Sequence, residues 1–162
     1  MLVVNLQGIP MTLVKFLSTG FCLGLLPKAP GTFGSLLGLF AAATLFRGNL
    51  IYDGLVLLTL TTLSVIIISR YEKQAKTHDS SEIVLDEVVG QMLTLLLVPV
   101  SWKYYLVGFL LFRFFDIFKP LGIRWIDQNV KGAVGTVLDD LLAGLLAMVS
   151  LLILVRFVEP LL

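Results

Sequence analysis

Three short stretches place carboxylates where water is scarce. In DSSEIVLDEVVGQ, residues 79–91, Glu82 and Asp86 are four apart, so a helix from about Ser80 puts both on one face. Asp79 then stands at the cap and Glu87 on a neighbouring stripe. A solvated helix start explains Asp79 and Glu82 through capping and the helix dipole. It does not explain Asp86 and Glu87, which stand against Val88 and Val89 at the mouth of an apolar helix. In RFFDIFKP, residues 113–120, Asp116 lies three residues from both Arg113 and Lys119. Ion pairing and snorkelling account for the two cations, but the short Asp116 needs a partner or a cation. In GTVLDDLLAG, Asp139 and Asp140 are adjacent inside a long apolar run, about 100° apart on a helix. Paired acids at membrane depth read as functional, and Gly144, one turn on, lets another backbone approach.

The chemistry of such a set is metal chemistry. With a single cysteine and a single histidine, ligation falls to oxygen, which selects Mg²⁺, or secondarily Mn²⁺ or Ca²⁺. Glu82, Asp86, Asp116, Asp139 and Asp140 are the candidate ligands. Magnesium shares its shell with water and phosphate, and LLPKAPGTFGS, residues 25–35, offers a place for phosphate. Its prolines and glycines mark a turn. They also allow an anion site in which Lys28 supplies charge and the amides of Gly31, Thr32 and Gly34 point at a phosphate, helped by Arg113 and Lys119. His78 is either polar surface or a proton carrier. No residue is an evident nucleophile. In-line attack by a water activated at the metal is expected, with Asp86 or Glu87 as base, Glu87 preferred, and Lys28 or Arg113 neutralising charge. An aspartyl-phosphate on Asp116 or Asp139 is the competing scheme.

The elements that must carry these residues are membrane elements. The 162 residues are 57% hydrophobic and only 14% charged, with a mean hydropathy of +0.97. A net charge of +1 leaves no basic stripe for nucleic acid. The lone Cys22, among apolar neighbours, is expected to be a small buried hydrophobe. No basic region precedes the first apolar residues, since the first positive charge is Lys15, so a cleaved leader is not expected. Apolar runs cover residues 36–46, 50–69, 88–98, 104–118 and 134–158, of which only the second and last are long enough to cross a hydrocarbon core. The expected fold is therefore all-α: a single membrane-embedded domain over residues 1–162, built as a multi-helix integral membrane bundle with short and interfacial helices. If the chain crosses at each run, one side receives every Lys and Arg except Arg47, Lys103 and Arg156, and every acid except Asp53 and Glu159. The positive-inside rule makes that side cytoplasmic. It does not require the acids to gather there, and the acidic crowding calls for a site.

LPKAPGTFGSL, EIVLDEVVGQ, FRFFDIFKP and LDDLLAG, in this order, resemble the phosphatidylglycerophosphatase A family of bacterial membrane enzymes. The resemblance runs from about Phe16 to Gly144. It implies a Mg²⁺-dependent phosphomonoesterase at the cytoplasmic face of the inner membrane, acting on phosphatidylglycerophosphate in phospholipid synthesis. Lys28, Gly31 and Thr32 fall on the family's first motif; Glu82, Asp86 and Glu87 on the second; Arg113, Asp116, Lys119 and Pro120 on the third; Asp139, Asp140 and Gly144 on the fourth. Gly122 departs from a second proline often found near that position. P-loop, histidine-nucleophile and aspartyl-phosphate signatures are absent from the sequence. The reading from another class is a small carrier or channel subunit using buried carboxylates as an ion path. It does not explain acids crowded at one face.

Overall fold

The computed structural model describes residues 11–76, 80–120 and 122–158, and among them every regular element is helical. Helix α1 covers Met11–Ser18 and is followed by a 3-10 turn, Leu23–Leu25. Then come α2 (Pro30–Leu45), α3 (Leu50–Ala75), α4 (Leu85–Leu95), α5 (Trp102–Phe118), α6 (Ile123–Asn129) and α7 (Ala133–Val158). The five apolar runs correspond to α2, α3, α4, α5 and α7. The short α1 and α6 were not anticipated. Two helices, α3 over 26 residues and α7 over residues Ala133–Phe157, are long and apolar enough to cross a membrane.

Local chemistry sets the helix limits. Pro30 occupies the first turn of α2, where a missing N–H does no harm. Helix α2 thus begins six residues before the expected run, and half of the supposed turn segment is helical. Asn49 caps α3 by accepting from the Tyr52 N–H at 3.0 Å. Helix α4 starts at Leu85 and not near Ser80, because residues 80–84 are held elsewhere: the Val84 N–H donates to the Ser18 carbonyl at 3.0 Å. Cys22, at φ 72 beside the 3-10 turn, is exposed instead of buried, since the left-handed backbone there turns its side chain outward.

The shortest of the five apolar helices is the hub. Eight of the eleven residues of α4 are buried, and it packs on α2, α3, α5 and α7. Glycines make this possible. A Cβ at Gly38 of α2 would stand 2.5 Å from the Val88 carbonyl oxygen, and one at Gly144 of α7 would stand 2.3 Å from that of Gly90. The Thr94 hydroxyl fastens the second crossing by donating to the carbonyls of Gly90 at 3.1 Å and Gly144 at 3.3 Å. Phe112 of α5, fully buried, closes on the same point: a Cβ at Gly90 would lie 2.7 Å from its ring. The start of α2, the start of α4, the end of α5 and the start of α7 consequently lie at one end of the bundle.

Candidate active site

That end carries the acids. Asp86 and Glu87 occupy the first turn of α4 and Asp140 the second turn of α7, and one carboxylate oxygen from each lies within 4.8 Å of the other two. Asp86 and Asp140 are buried. Asp86 accepts the Glu87 N–H at 3.1 Å, and Glu87 Oε2 is buried without a hydrogen-bond partner. Three carboxylates this close, walled by apolar helices, repel one another and have lost water, so the arrangement is complementary to a hard cation. An oxygen-only donor set with an unsatisfied buried oxygen fits Mg²⁺.

Around the trio lies a cavity of about 410 Å³, with Asp116, Asp127 and Asp139 on its wall beside Lys119 and Lys131, and with Glu72 reaching it from α3. Two ion-pair arrangements order this wall. Arg113 Nη1 pairs with Asp116 at 2.5 Å and donates to the Ser35 hydroxyl at 3.2 Å, which itself donates to the Gly31 carbonyl at 2.8 Å. Lys119 Nζ bridges Asp127 and Asp139, at 2.5 Å to each. Burial would lower the Lys119 pKa, but the hydrogen bonds to Asp127 and Asp139 outweigh it and hold the amine charged.

The structure gathers Asp86, Glu87, Asp116, Lys119, Asp139 and Asp140 at one cavity, with Arg113 tied to it through Asp116. Glu82 is not brought there. Because residues 80–84 are not helical, its carboxylate points to Lys15 at 3.0 Å and accepts from the Tyr71 hydroxyl. The Tyr71 bond, helped by Lys15 and opposed by partial desolvation, holds Glu82 below the ordinary carboxylate range. Glu82 ties α1 to α3 and stands apart from the trio in this arrangement. The cradle expected from Gly31, Thr32 and Gly34 is not formed either. The Thr32 N–H donates to the Ala29 carbonyl at 3.0 Å, and Gly34 lies inside the α2 ladder. Those glycines serve packing: a Cβ at Gly31 would stand 2.3 Å from Glu87 Oε1 and 3.1 Å from Arg113 Nη1, and one at Gly34 would meet Val84. Lys28 is exposed just before α2. His78 and Asp79 lie outside the described residues. Sequence reasoning assigned no role to Glu72, Asp127 or Lys131. The charged tail of the α3 run and a short amphipathic IRWIDQN were the available signals.

Comparison with known proteins identifies the family. The model of the family Phosphatidylglycerophosphatase A matches residues 16–155. The chain is 37% identical to "Phosphatidylglycerophosphatase A" of Escherichia coli K12 over 81% of its own length and 77% of the relative's. It is also 37% identical to the protein of the same name in Haemophilus influenzae, covering 84% of this chain and 85% of that one. A Bacteroides thetaiotaomicron protein provisionally named a phosphatidylinositol-3-phosphatase is 39% identical, over 83% of this chain and 89% of that one. No solved structure matches. With a family match over residues 16–155 and relatives 37% identical over most of its length, the chain belongs to the phosphatidylglycerophosphatase A family.

Proposed function

We propose that the chain is a Mg²⁺-dependent phosphatidylglycerophosphatase, removing the terminal phosphate of phosphatidylglycerophosphate in bacterial phospholipid synthesis. The reading places it as a multi-pass bundle of the inner membrane with its acid cavity facing the cytoplasm. The observation that carries it is the convergence of Asp86, Glu87 and Asp140 in a chain whose relatives are named for this reaction. The membrane placement is supported by apolar side chains facing outward, such as Ile51, Leu58, Leu110 and Phe114. Exposed Trp102 and Trp125 at opposite ends add interfacial anchors. The cytoplasmic orientation rests on the charge asymmetry of the loops.

In this reading Asp86, Glu87 and Asp140 would hold the ion, with Asp116 and Asp139 nearby on the cavity wall. Mg²⁺ bound there would supply charge neutralisation at the phosphoryl oxygens and would lower the pKa of water. The chain's own groups do the rest. Glu87 Oε2, buried and unpartnered, accepts a proton from the attacking water as its oxygen bonds to phosphorus. The bond from phosphorus to the glycerol oxygen breaks on the opposite face, that oxygen takes a proton from solvent and Glu87 returns its own to water, leaving phosphatidylglycerol and inorganic phosphate. Lys119, kept charged on the cavity wall, pairs with phosphoryl oxygens. Arg113 holds Asp116 in place and sets a positive charge beside Glu87. Lys28, on a flexible stem before α2, meets the phosphate from outside.

The test uses the purified protein in detergent micelles with phosphatidylglycerophosphate, and in parallel with phosphatidylinositol 3-phosphate because of the Bacteroides relative. Phosphate release from the first, abolished by chelation and restored by Mg²⁺, is expected. Release that survives chelation overturns the metal assignment, and release from the phosphoinositide alone overturns the substrate.

A further inference from the structure

Beside the acid cavity lies a second one of about 590 Å³, and its character is opposite. Lys73 and Lys76 at the end of α3, and Lys131 before α7, line it with Ser69, while Glu72 is the single acid on its wall. The two cavities are continuous in their lining, since Glu72, Lys131 and Gly132 belong to both. A left-handed backbone at Lys76, φ 54, ends α3 there and sets Lys73 and Lys76 on one rim, with the first residues of α7 on the other. Lysine side chains lose much freedom when ordered together, and like charges repel, so three of them around one hollow are complementary to an anion.

We propose that this lysine-lined cavity is the seat for a second anionic group of the lipid headgroup: the phosphodiester that joins the diacylglycerol to the glycerol bearing the scissile phosphate. The inference rests on the phosphatase reading above and adds a specificity subsite to it. The substrate carries a phosphomonoester and a phosphodiester separated by the carbons of one glycerol. The two adjoining cavities present a matching order, carboxylates suited to a metal and then lysines suited to a bare anion. A phosphodiester bears one negative charge and needs no metal to be held. Val134, exposed on the same rim, offers the diacylglycerol an apolar edge next to the lysines. Recognition of the diester also sets polarity: the headgroup enters with its free phosphate toward Asp86, Glu87 and Asp140.

The experiment compares wild type with the double variant Lys73→Gln/Lys76→Gln in micelles of an uncharged detergent, where no anionic surface attracts lipid. The expected result is a KM for phosphatidylglycerophosphate raised about tenfold, as two charge-assisted contacts are lost, with kcat falling much less. The inhibition constant of glycerophosphoglycerol, a soluble phosphodiester without a phosphomonoester, rises in parallel, and that of inorganic phosphate moves less. Lys73→Arg/Lys76→Arg recovers most of the KM and shows that the glutamine variant had not simply misfolded. An unchanged KM and glycerophosphoglycerol constant, or equal losses for glycerophosphoglycerol and inorganic phosphate, overturns the subsite. A wild-type protein that releases no phosphate from the lipid overturns the phosphatase reading instead. Direct calorimetric binding of glycerophosphoglycerol to wild type and variant then still decides the subsite.

Discussion

The acid trio and the lysines of this site are mounted in opposite ways. Asp86, Glu87 and Asp140 stand within helices that touch backbone to backbone through Gly90 and Gly144. The lysines stand where helices stop. Lys76 and Lys119 are the left-handed C-terminal caps of α3 and α5, Lys131 lies in the link from α6 to α7, and Lys28 lies just before α2. A hard cation requires donors fixed to within a few tenths of an ångström. A phosphate that arrives and departs at every turnover is better met by long stems on movable ends. Rigidity and reach have been assigned to different parts of the same chain.

That contrast breaks most directly at a rigid acid. Asp140→Asn keeps the shape and removes the charge, and turnover is expected to fall by about 100-fold or more together with loss of Mg²⁺ affinity. Phosphate release and metal titration, with a thermal melt as control for folding, measure it; turnover near wild type would remove Asp140 from the proposed metal site. A smaller effect is expected on the movable side. Asp127→Asn releases one of the two carboxylates on Lys119 and leaves Asp139. It is expected to lower kcat/KM by about tenfold at most, chiefly through KM. A loss larger than that of Asp140→Asn would reverse the contrast.

The smallest effect belongs to Glu82, which holds α1 to α3 away from both groups. Its folded pKa lies below the ordinary 4.5, so its stabilising contribution is complete above that value and disappears as the pH falls through the lowered one. Glu82→Gln is expected to flatten the dependence of thermal stability on pH in that acid window. A neutral-pH activity loss of about tenfold or more would return Glu82 to the metal site.

The long elements and three of the four motifs were legible in the sequence because hydropathy and charge act locally there. Asp139 and Asp140 interrupt an apolar run, and only a site explains them. Glu82 was misplaced for a different reason. Spacing of four puts two residues on one face only if a helix connects them, and the Val84 N–H is spent on Ser18, a contact 66 residues away in sequence. The PGTFG segment suggests a phosphate cradle because glycine makes amides accessible, but glycine also lets helices approach; Val84 and Glu87, distant in sequence, decide between the two uses. Asp127 and Lys131 stayed out of view because α6 is too short to declare itself by periodicity.

Gly90, Gly144 and Phe112 meet at one point, and each helix carries its acid about one turn from it. Asp86 and Glu87 precede Gly90, Asp140 precedes Gly144, and Asp116 follows Phe112. The junction is thus a fulcrum with three short lever arms of about 6 Å. A helix tilting by about 10° there swings its carboxylate by about 1 Å, several times the roughly 0.2 Å that a coordination bond tolerates. Any lipid or detergent that splays these helices would therefore pull the three carboxylates apart long before it melts a single turn.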